Sequence, residues 1–208
     1  MSTTSCCFEL GRNYLHGRLI DIGCGIKPYQ ILLSPYVSEH IGVDQPQTFH
    51  AKSNIDLFST AYEIGIANDA FDCAICTSVL EHLEEPEIAL RECFRVIKPG
   101  GRVIYSVPFI WHLHEEPRDY YRFSKYGLQY LFEKVGFEIL EIKALSGFWV
   151  TFGTMLAYNV SRFNKGLIRH THLLDMLILM IQGLAYIMEK LDKPEQWTWG
   201  YMVLAGKK

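Results

Sequence analysis

The segment Leu19–Gly25 reads Leu-Ile-Asp-Ile-Gly-Cys-Gly, an apolar run that stops at two glycines separated by one residue. A short apolar run of this kind is typical of a buried strand in a parallel sheet. Glycines at its end let the backbone turn tightly and approach a ligand closely. A helix that starts after such a turn offers free N–H groups and the positive end of its dipole. The segment therefore predicts a nucleotide-type cofactor site.

The position of Asp44 supports this prediction. The second predicted strand, His40–Asp44, ends in Asp44, about 20 positions after the glycines. A carboxylate at this distance can accept hydrogen bonds from both hydroxyls of a ribose. Gly23, Gly25 and Asp44 are therefore the first candidate cofactor-binding residues.

The rest of the chain continues to alternate between strands and helices. Helices are predicted before Gly17, after Tyr29, and at Pro86–Ile97 and 124–136, and strands at Arg18–Ile22, Asn54–Leu57, Phe71–Ser78, Arg102–Val107, Phe137–Lys143 and Trp199–Ala205. Such alternation predicts an α/β fold with a doubly wound, mostly parallel sheet, in which ligands bind at the carboxyl ends of the strands. At 208 residues, the chain is predicted to form a single domain, 1–208.

Composition excludes several functions. The formal net charge of −3 and the isoelectric point near 6.2 argue against a nucleic-acid binder. The first residues lack a basic and then apolar signal pattern, so a cytoplasmic location is the default expectation. Cys73 and Cys76 fall within one predicted strand, where residues three apart point to opposite faces. We therefore predict reduced, structural thiols and no metal site.

Residues 108–123 are predicted to form a functional loop, because titratable and aromatic residues are dense after the end of a strand. His112 and His114 would share one face of an extended segment, with Tyr121 nearby in sequence, and these three are the candidate catalytic residues. A neutral histidine suits a hydroxyl group that must lose a proton. Arg118 and Arg122 could bind an anionic substrate, or could pair with carboxylates of the loop itself.

Residues 148–191 interrupt the alternation with two apolar helices, predicted at 149–163 and 171–191. The uninterrupted apolar run Met176–Ile181 is much shorter than the ~20 residues that span a bilayer. A buried lid or a homodimer interface is the favoured interpretation. Basic residues at the turn also allow peripheral membrane contact, in which the apolar face enters an anionic lipid surface.

Five motifs in order give the sequence its resemblance to a known family. They are Asp21-Ile22-Gly23-Cys24-Gly25, Asp44, Phe71-Asp72, Val79-Leu80-Glu81-His82-Leu83 and Arg95-Val96-Ile97-Lys98-Pro99-Gly100-Gly101. The sequence resembles the class I S-adenosylmethionine-dependent methyltransferases, of the small type often labelled type 11. Pro117–Phe123 followed by Gly136-Phe137 resembles a subgroup often encoded with surface-polysaccharide genes. The resemblance implies a Rossmann-like seven-stranded sheet with an antiparallel last strand, and a helical insertion at about 148–191 before that strand.

The resemblance also assigns residues to the site. It implies that Gly23-Cys24-Gly25 passes under the methionine part of S-adenosylmethionine, that Asp44 binds the ribose, and that Asp21 orders the loop or the amino group. Asp56 and Leu57 are placed at the adenine, and Thr77 near the cofactor. Glu81-His82 looks like a catalytic dyad, but the family uses this pair mainly to hold a helix start and flank the pocket, so His82 is a candidate substrate-binding residue.

The predicted function is methyl transfer from S-adenosylmethionine to a small-molecule or sugar- or lipid-linked acceptor, with an oxygen favoured. Two alternatives remain. An NAD-dependent oxidoreductase would require glycine or alanine at the position of Pro28. A non-catalytic cofactor-binding protein would keep the glycine loop and lack the transfer chemistry.

Overall fold

The computed structural model describes residues 3–48 and 51–208 and contains a seven-stranded sheet. Its strands are β1 (Arg18–Ile22), β2 (Glu39–Asp44), β3 (Leu57–Phe58), β4 (Phe71–Thr77), β5 (Ile97–Pro108), β6 (Phe137–Ala144) and β7 (Gly200–Lys207). They pair in the order β3-β2-β1-β4-β5-β7-β6. β1 to β5 are mutually parallel, whereas β7 runs antiparallel to both of its neighbours. The predicted Rossmann-like topology is thereby confirmed.

Helices cover both faces of this sheet. They are α1 (Thr3–Tyr14), α2 (Gln30–Leu33), α3 (Pro86–Val96), α4 (Lys125–Val135), α5 (Phe148–Ser161), α6 (Leu167–Thr171) and α7 (Leu173–Leu191). Leu90 of α3 and Phe132 of α4 belong to the larger core cluster on one face, and Leu10 of α1 and Leu33 of α2 to the cluster on the other. Because both faces are buried, the central strands are apolar throughout, as in β1.

Strand β4 separates the two cysteines that the sequence pattern pairs. Cys73 packs in the cluster that contains α1 and α2, and Cys76 packs in the opposite one. Both are buried and free. Burial raises the pKa of the Cys73 thiol to about 12, so this side chain stays protonated and apolar in character.

The third strand is shorter and later than the sequence pattern predicts. A strand was expected at Asn54–Leu57, with Asp56 at its carboxyl end, but a 3-10 turn occupies Lys52–Asn54 and β3 pairs with β2 only from Leu57 onward. The reason is a contact between Asp56 and the neighbouring strand β2. The carboxylate of Asp56 accepts a hydrogen bond from the backbone N–H of Gly42 at 2.6 Å. Asp56 therefore precedes the strand, and this part of the prediction is wrong.

Helices α5 and α7 form a hairpin between β6 and β7 in the chain. They approach closely because Gly153 has no side chain. A Cβ at that position would lie only 2.4 Å from the Cβ of Ala185. The buried Glu189 of α7 accepts hydrogen bonds from the N–H groups of Gly147 and Val150, at the start of α5. A carboxylate there satisfies free N–H groups and complements the helix dipole. Among the described residues, no helix has the length and apolarity that crossing a membrane would need.

Candidate functional site

The turn after β1 can be made only with glycine at position 23. Its φ is +71°, and a Cβ there would lie 2.3 Å from a methyl carbon of Val79. The Gly23 N–H donates to the carbonyl of Val43 at 2.8 Å, which ties the turn to the end of β2. The sequence pattern is thus explained by both backbone conformation and close packing.

Asp44 holds this turn in place from the neighbouring strand. Its Oδ2 accepts a hydrogen bond from the Gly25 N–H at 2.9 Å, and its Oδ1 accepts one from the Gln45 N–H at 2.7 Å. Oδ1 has room for a second hydrogen bond, and the second position on Oδ2 is taken only by a long contact, 3.5 Å, from the Thr48 hydroxyl. The same side chain can therefore order the glycine turn and bind a hydroxyl pair in front of it.

A cleft of about 480 Å³ opens along the carboxyl ends of β1, β2 and β4. One part of its wall contains predicted cofactor-binding residues: Gly23, Cys24, Gly25, Asp44 and Thr77. Another part contains polar residues of the segments after β3, β4 and β5: Ser59, Thr60, Tyr62, His82, Glu84, Glu115, Arg118 and Tyr120. The predicted cofactor residues and two predicted substrate-binding residues, His82 and Arg118, thus share one cavity.

Three predicted cofactor residues do not line the cleft. Asp21 is buried beneath the turn, where its Oδ2 lies 3.0 Å from Nε2 of His40, and burial raises its pKa. Asp56 forms an ion pair with Lys27, whose buried side chain lies under the turn. Leu57 is also absent from the cleft wall. The structure therefore gives Asp21 and Asp56 supporting positions behind the turn.

The loop after β5 is fixed by an internal ion pair. Both outer nitrogens of Arg122 donate to Asp119, each at 2.7 Å, and one also donates to the carbonyl of His112 at 2.8 Å. The hydrogen bonds from Arg122 hold the pKa of Asp119 well below its ordinary value. Arg122 does not line the cleft, and the hydrogen bonds described for it stay within the loop. Of the two alternatives that the sequence left open, pairing within the loop applies here.

His112 and Tyr121 also lie outside the cleft wall. The ring of His112 stacks on Tyr158 of α5, with centroids 4.4 Å apart, and its Nδ1 lies 2.6 Å from the carbonyl of Leu113. The hydroxyl of Tyr121 donates to the carbonyl of Glu84 at 2.9 Å. These contacts anchor the loop to its surroundings. The catalytic role of His112 and Tyr121 stays a prediction.

His114 instead meets Glu81 and His82. Its Nε2 lies 4.0 Å from Oε1 of Glu81, and Nε2 of His82 lies 3.9 Å from the same oxygen. Glu81 is fully buried, and within residues 3–48 and 51–208 neither of its carboxylate oxygens has a hydrogen-bond partner. Burial raises the pKa of Glu81 to about 8. This cluster borders the cleft through His82.

Several residues of the cleft wall were not among the predicted site residues. Tyr62 follows β3, and Glu115 and Tyr120 lie in the loop that the sequence marked as functional. Position at a carboxyl strand end is the signal that could have found Tyr62. Nothing in the pattern separates Tyr120, which lines the cleft, from Tyr121, which does not.

Comparisons with known proteins identify methyltransferases among the relatives of this chain. A family model described as a methyltransferase domain matches residues 20–105. The ubiquinone biosynthesis O-methyltransferase of Stutzerimonas stutzeri is 25% identical over 127 residues, covering 56% of this chain and 52% of that protein. The chain thus spans about half the length of the curated relatives it matches.

Two solved structures share the fold at low identity. The [4+2]-cyclase SpnF has a TM-score of 0.66 at 20% identity, with 97% of this chain and 80% of that chain covered. Phosphoethanolamine N-methyltransferase 2 of Haemonchus contortus, in complex with S-adenosyl-L-methionine, has a TM-score of 0.57 at 20% identity, with 93% of this chain and 49% of that chain covered.

Residues 20–105 thus match a methyltransferase domain, and the chain has the fold of the class I S-adenosylmethionine-dependent methyltransferases. S-adenosylmethionine is the cofactor of this class, and the cleft fits it. Only a glycine leaves space at position 23, Asp44 presents a carboxylate at the end of β2, and the cavity of about 480 Å³ lies within the usual range of small-molecule sites.

Proposed function

We propose that the protein transfers a methyl group from S-adenosylmethionine to an oxygen of a polar acceptor, either a small molecule or a sugar- or lipid-linked molecule. The observation that carries this proposal is the shared cleft, in which the glycine turn and Asp44 face a second wall containing His82, Arg118 and Tyr120. S-adenosylmethionine supplies an activated methyl group on its sulfonium. The protein's task is then to align the acceptor and, for a hydroxyl, to remove its proton.

On the donor side, Gly23 and Gly25 would approach the methionine part, and Asp44 would bind the ribose hydroxyls. Asp56 and Leu57 were predicted at the adenine, but neither lines the cleft. We assign the adenine instead to the segment after β3, where Ser59–Tyr62 borders the cavity. The ring of Tyr62 offers an apolar surface for a base, and Ser59 and Thr60 offer hydroxyls.

On the acceptor side, His82 is suited to accept a proton. Its Nδ1 lies 2.6 Å from the carbonyl oxygen of Arg118, which can only accept, so Nδ1 carries the hydrogen. The other nitrogen, Nε2, is therefore the one with a free lone pair when the ring is neutral. Arg118 lines the same wall and could bind an anionic group of the acceptor. The relative from Stutzerimonas stutzeri is named an O-methyltransferase, which also favours an oxygen.

Turnover with labelled S-adenosylmethionine tests the proposal. Nucleotide sugars, polyprenyl-linked sugars and phenolic compounds form the acceptor panel, and labelled product identifies the class. His82→Gln should lower kcat with an oxygen acceptor and leave the affinity for S-adenosylhomocysteine unchanged. Binding of S-adenosylhomocysteine without methylation of any acceptor would favour the non-catalytic alternative. Failure to bind it would refute the proposed donor site.

The hairpin of α5 and α7 gives a reason to include lipid-linked acceptors. Its outer surface exposes large apolar side chains: Phe152, Leu156, Phe163, Leu173, Met176, Leu179, Met180, Leu184, Ile187 and Leu191. Exposed basic residues lie at its turn: Arg162, Lys165, Arg169, His170 and His172. This combination is typical of a peripheral membrane surface that attracts anionic lipid.

Flotation with vesicles of anionic or neutral lipid tests membrane contact. Leu179→Glu with Ile187→Glu should abolish flotation, since these side chains are 68% and 57% exposed on the hairpin. Ile88→Glu is the matched control, because Ile88 is 49% exposed on α3, away from the hairpin. A protein that does not float but forms a concentration-dependent dimer, lost in the double variant, would favour the homodimer instead.

A further inference from the structure

The cluster of Glu81, His82 and His114 has an arrangement that methyl transfer alone does not require. One ligand atom from each of the three side chains can be chosen so that all lie within 4.8 Å of one another. Glu81 lies in the 3-10 turn after β4, whereas His114 comes from the loop after β5. The two histidine rings are edge to face, with centroids 4.8 Å apart.

Hydrogen bonds fix the orientation of both rings. Nδ1 of His82 lies 2.6 Å from the carbonyl of Arg118. Nδ1 of His114 lies 3.2 Å from the carbonyl of His112 and 3.4 Å from a carboxylate oxygen of Asp119. Since the carbonyl of Arg118 only accepts, Nδ1 of His82 carries the hydrogen and its Nε2 presents a lone pair. Nδ1 of His114 also lies 3.4 Å from a guanidinium nitrogen of Arg122, but the two acceptors around it favour the same arrangement. Metal-binding histidines are usually held in this way, by a carbonyl or carboxylate at the nitrogen that does not bind the metal.

Both lone pairs point toward a buried carboxylate that has no partner. The side chain of Glu81 is fully buried, and both of its oxygens lack a hydrogen bond among the described residues. An unpartnered buried carboxylate is strongly unfavourable unless a proton or a cation neutralises it. Each Nε2 is 3.9 or 4.0 Å from the same oxygen, Oε1. A cation between them would satisfy all three groups at once.

We propose that Glu81, His82 and His114 bind a divalent transition-metal ion, with Zn²⁺ the best match. Two imidazoles and one carboxylate are an established ligand set for zinc sites that keep an open position. Zinc ligands about 2.1 Å from the metal in tetrahedral geometry lie ~3.4 Å from each other. The two shorter separations, 3.9 and 4.0 Å, would therefore contract by about 0.5 Å, and the longest, up to 4.8 Å, by up to about 1.4 Å when the ion binds. The sequence pattern gave no sign of this cluster, because its ligands come from two separate segments of the chain.

The open position would face the cleft, since His82 lines it while Glu81 and His114 lie behind it. Glu115 lies on the same side, with Oε2 3.9 Å from Nε2 of His82. With the ion bound, Nε2 of His82 would be a ligand and no longer a proton acceptor. An acceptor hydroxyl that reaches the ion would instead lose its proton more readily because of the metal, as metal-bound water does. This role rests on the proposed methyl transfer. The binding of the ion does not.

Calorimetry on the whole chain, stripped of metal with a chelator, tests the site without any methyl donor. Cys6→Ser and Cys7→Ser are introduced into every variant, because adjacent thiols could bind zinc by themselves. We expect one equivalent of Zn²⁺ to bind. His114→Gln and Glu81→Gln should each weaken binding by at least the ~10–100-fold that loss of an outer partner costs. His112→Gln, an imidazole two positions from His114, should leave it unchanged.

The visible spectrum of added Co²⁺ gives a second measurement, because it reports the ligand atoms directly. Nitrogen and oxygen ligands without thiolate charge transfer are expected, and the spectrum should be lost in His114→Gln. Binding of S-adenosylhomocysteine shows that each variant is folded and tests the donor site separately. Absence of stoichiometric binding, or binding that persists in both His114→Gln and Glu81→Gln, would overturn the proposal. The cluster would then hold a proton in place of the ion.

Discussion

Replacing Gly23 with alanine tests whether the turn after β1 needs glycine for two separate reasons. The first is conformational: φ is +71°, and a left-handed residue with a side chain costs ~1–2 kcal/mol. The second is steric, because the new Cβ would lie 2.3 Å from a methyl carbon of Val79. Forcing a side chain into an occupied position typically costs ~1–3 kcal/mol. The two effects together predict a loss of about 2–5 kcal/mol in the free energy of unfolding.

Gly100→Ala is the matched control, since it isolates the conformational effect. Its φ is +84°, and a Cβ there would meet no atom within 4 Å. This variant should lose only ~1–2 kcal/mol, measured by urea unfolding at constant m-value. Because Val79 lines the cleft, Gly23→Ala should also bind S-adenosylhomocysteine about 10-fold more weakly by calorimetry, a change of ~1.4 kcal/mol. Gly100→Ala should bind it normally.

Val79→Ala provides a direct test of the steric effect. In the double variant with Gly23→Ala, both methyl carbons that cause the clash are gone, and the remaining Cβ of Val79 lies 3.2 Å from the new one. The double variant should therefore be more stable than the sum of the single losses predicts, by ~1–3 kcal/mol. The reasoning is refuted if Gly23→Ala is no less stable than Gly100→Ala, or if the two effects at Gly23 and Val79 simply add.

Three further changes test other parts of the structure. Asp44→Ala should weaken S-adenosylhomocysteine binding by ~1–3 kcal/mol, measured by calorimetry, because charged hydrogen bonds to the ribose are lost; unchanged affinity would exclude the ribose role. Glu189→Ala should destabilise the fold by ~1–2 kcal/mol in urea unfolding, since the start of α5 loses its cap; an equal loss in a control such as Lys190→Ala would contradict this. The hydrogen bond from Lys98 lowers the pKa of Asp72, so this carboxylate stabilises the fold above pH ~4 and the effect fades as pH falls further. Asp72→Asn should therefore cost about 1 kcal/mol at pH 7, allowing for solvent screening, and much less near pH 2; a loss that is constant with pH would contradict the assignment.

Local patterns predicted most of the secondary structure correctly, and the physical reasons are visible. β1 begins and ends at the predicted residues, Arg18 and Ile22, because an apolar run followed by glycine has few alternatives. α4 begins after Ser124, whose hydroxyl accepts from the Gly127 N–H, and ends at Gly136 with φ +112°. These signals act within a few residues. They need no knowledge of the rest of the chain.

Side-chain roles in the loop after β5 were less predictable. Its sequence contains two histidines and two arginines, and most of the contacts that decide their roles come from distant elements. His112 stacks on α5, whereas His114 faces Glu81 after β4. Arg122 is used entirely within the loop, and Arg118 reaches Gln45 after β2 at 3.1 Å. A sequence pattern cannot separate such neighbours, because they differ only in what they contact.

The order of strands and helices, the glycine turn and the carboxylate of Asp44 could all be predicted from the sequence, since each depends on backbone conformation and local spacing. Only the tertiary structure decided that Asp56 supports the turn through Lys27 while Ser59–Tyr62 borders the cleft. It alone brought Glu81, His82 and His114 together. The physical reason is that burial, and the convergence of lone pairs on one point, depend on how separate segments pack against each other.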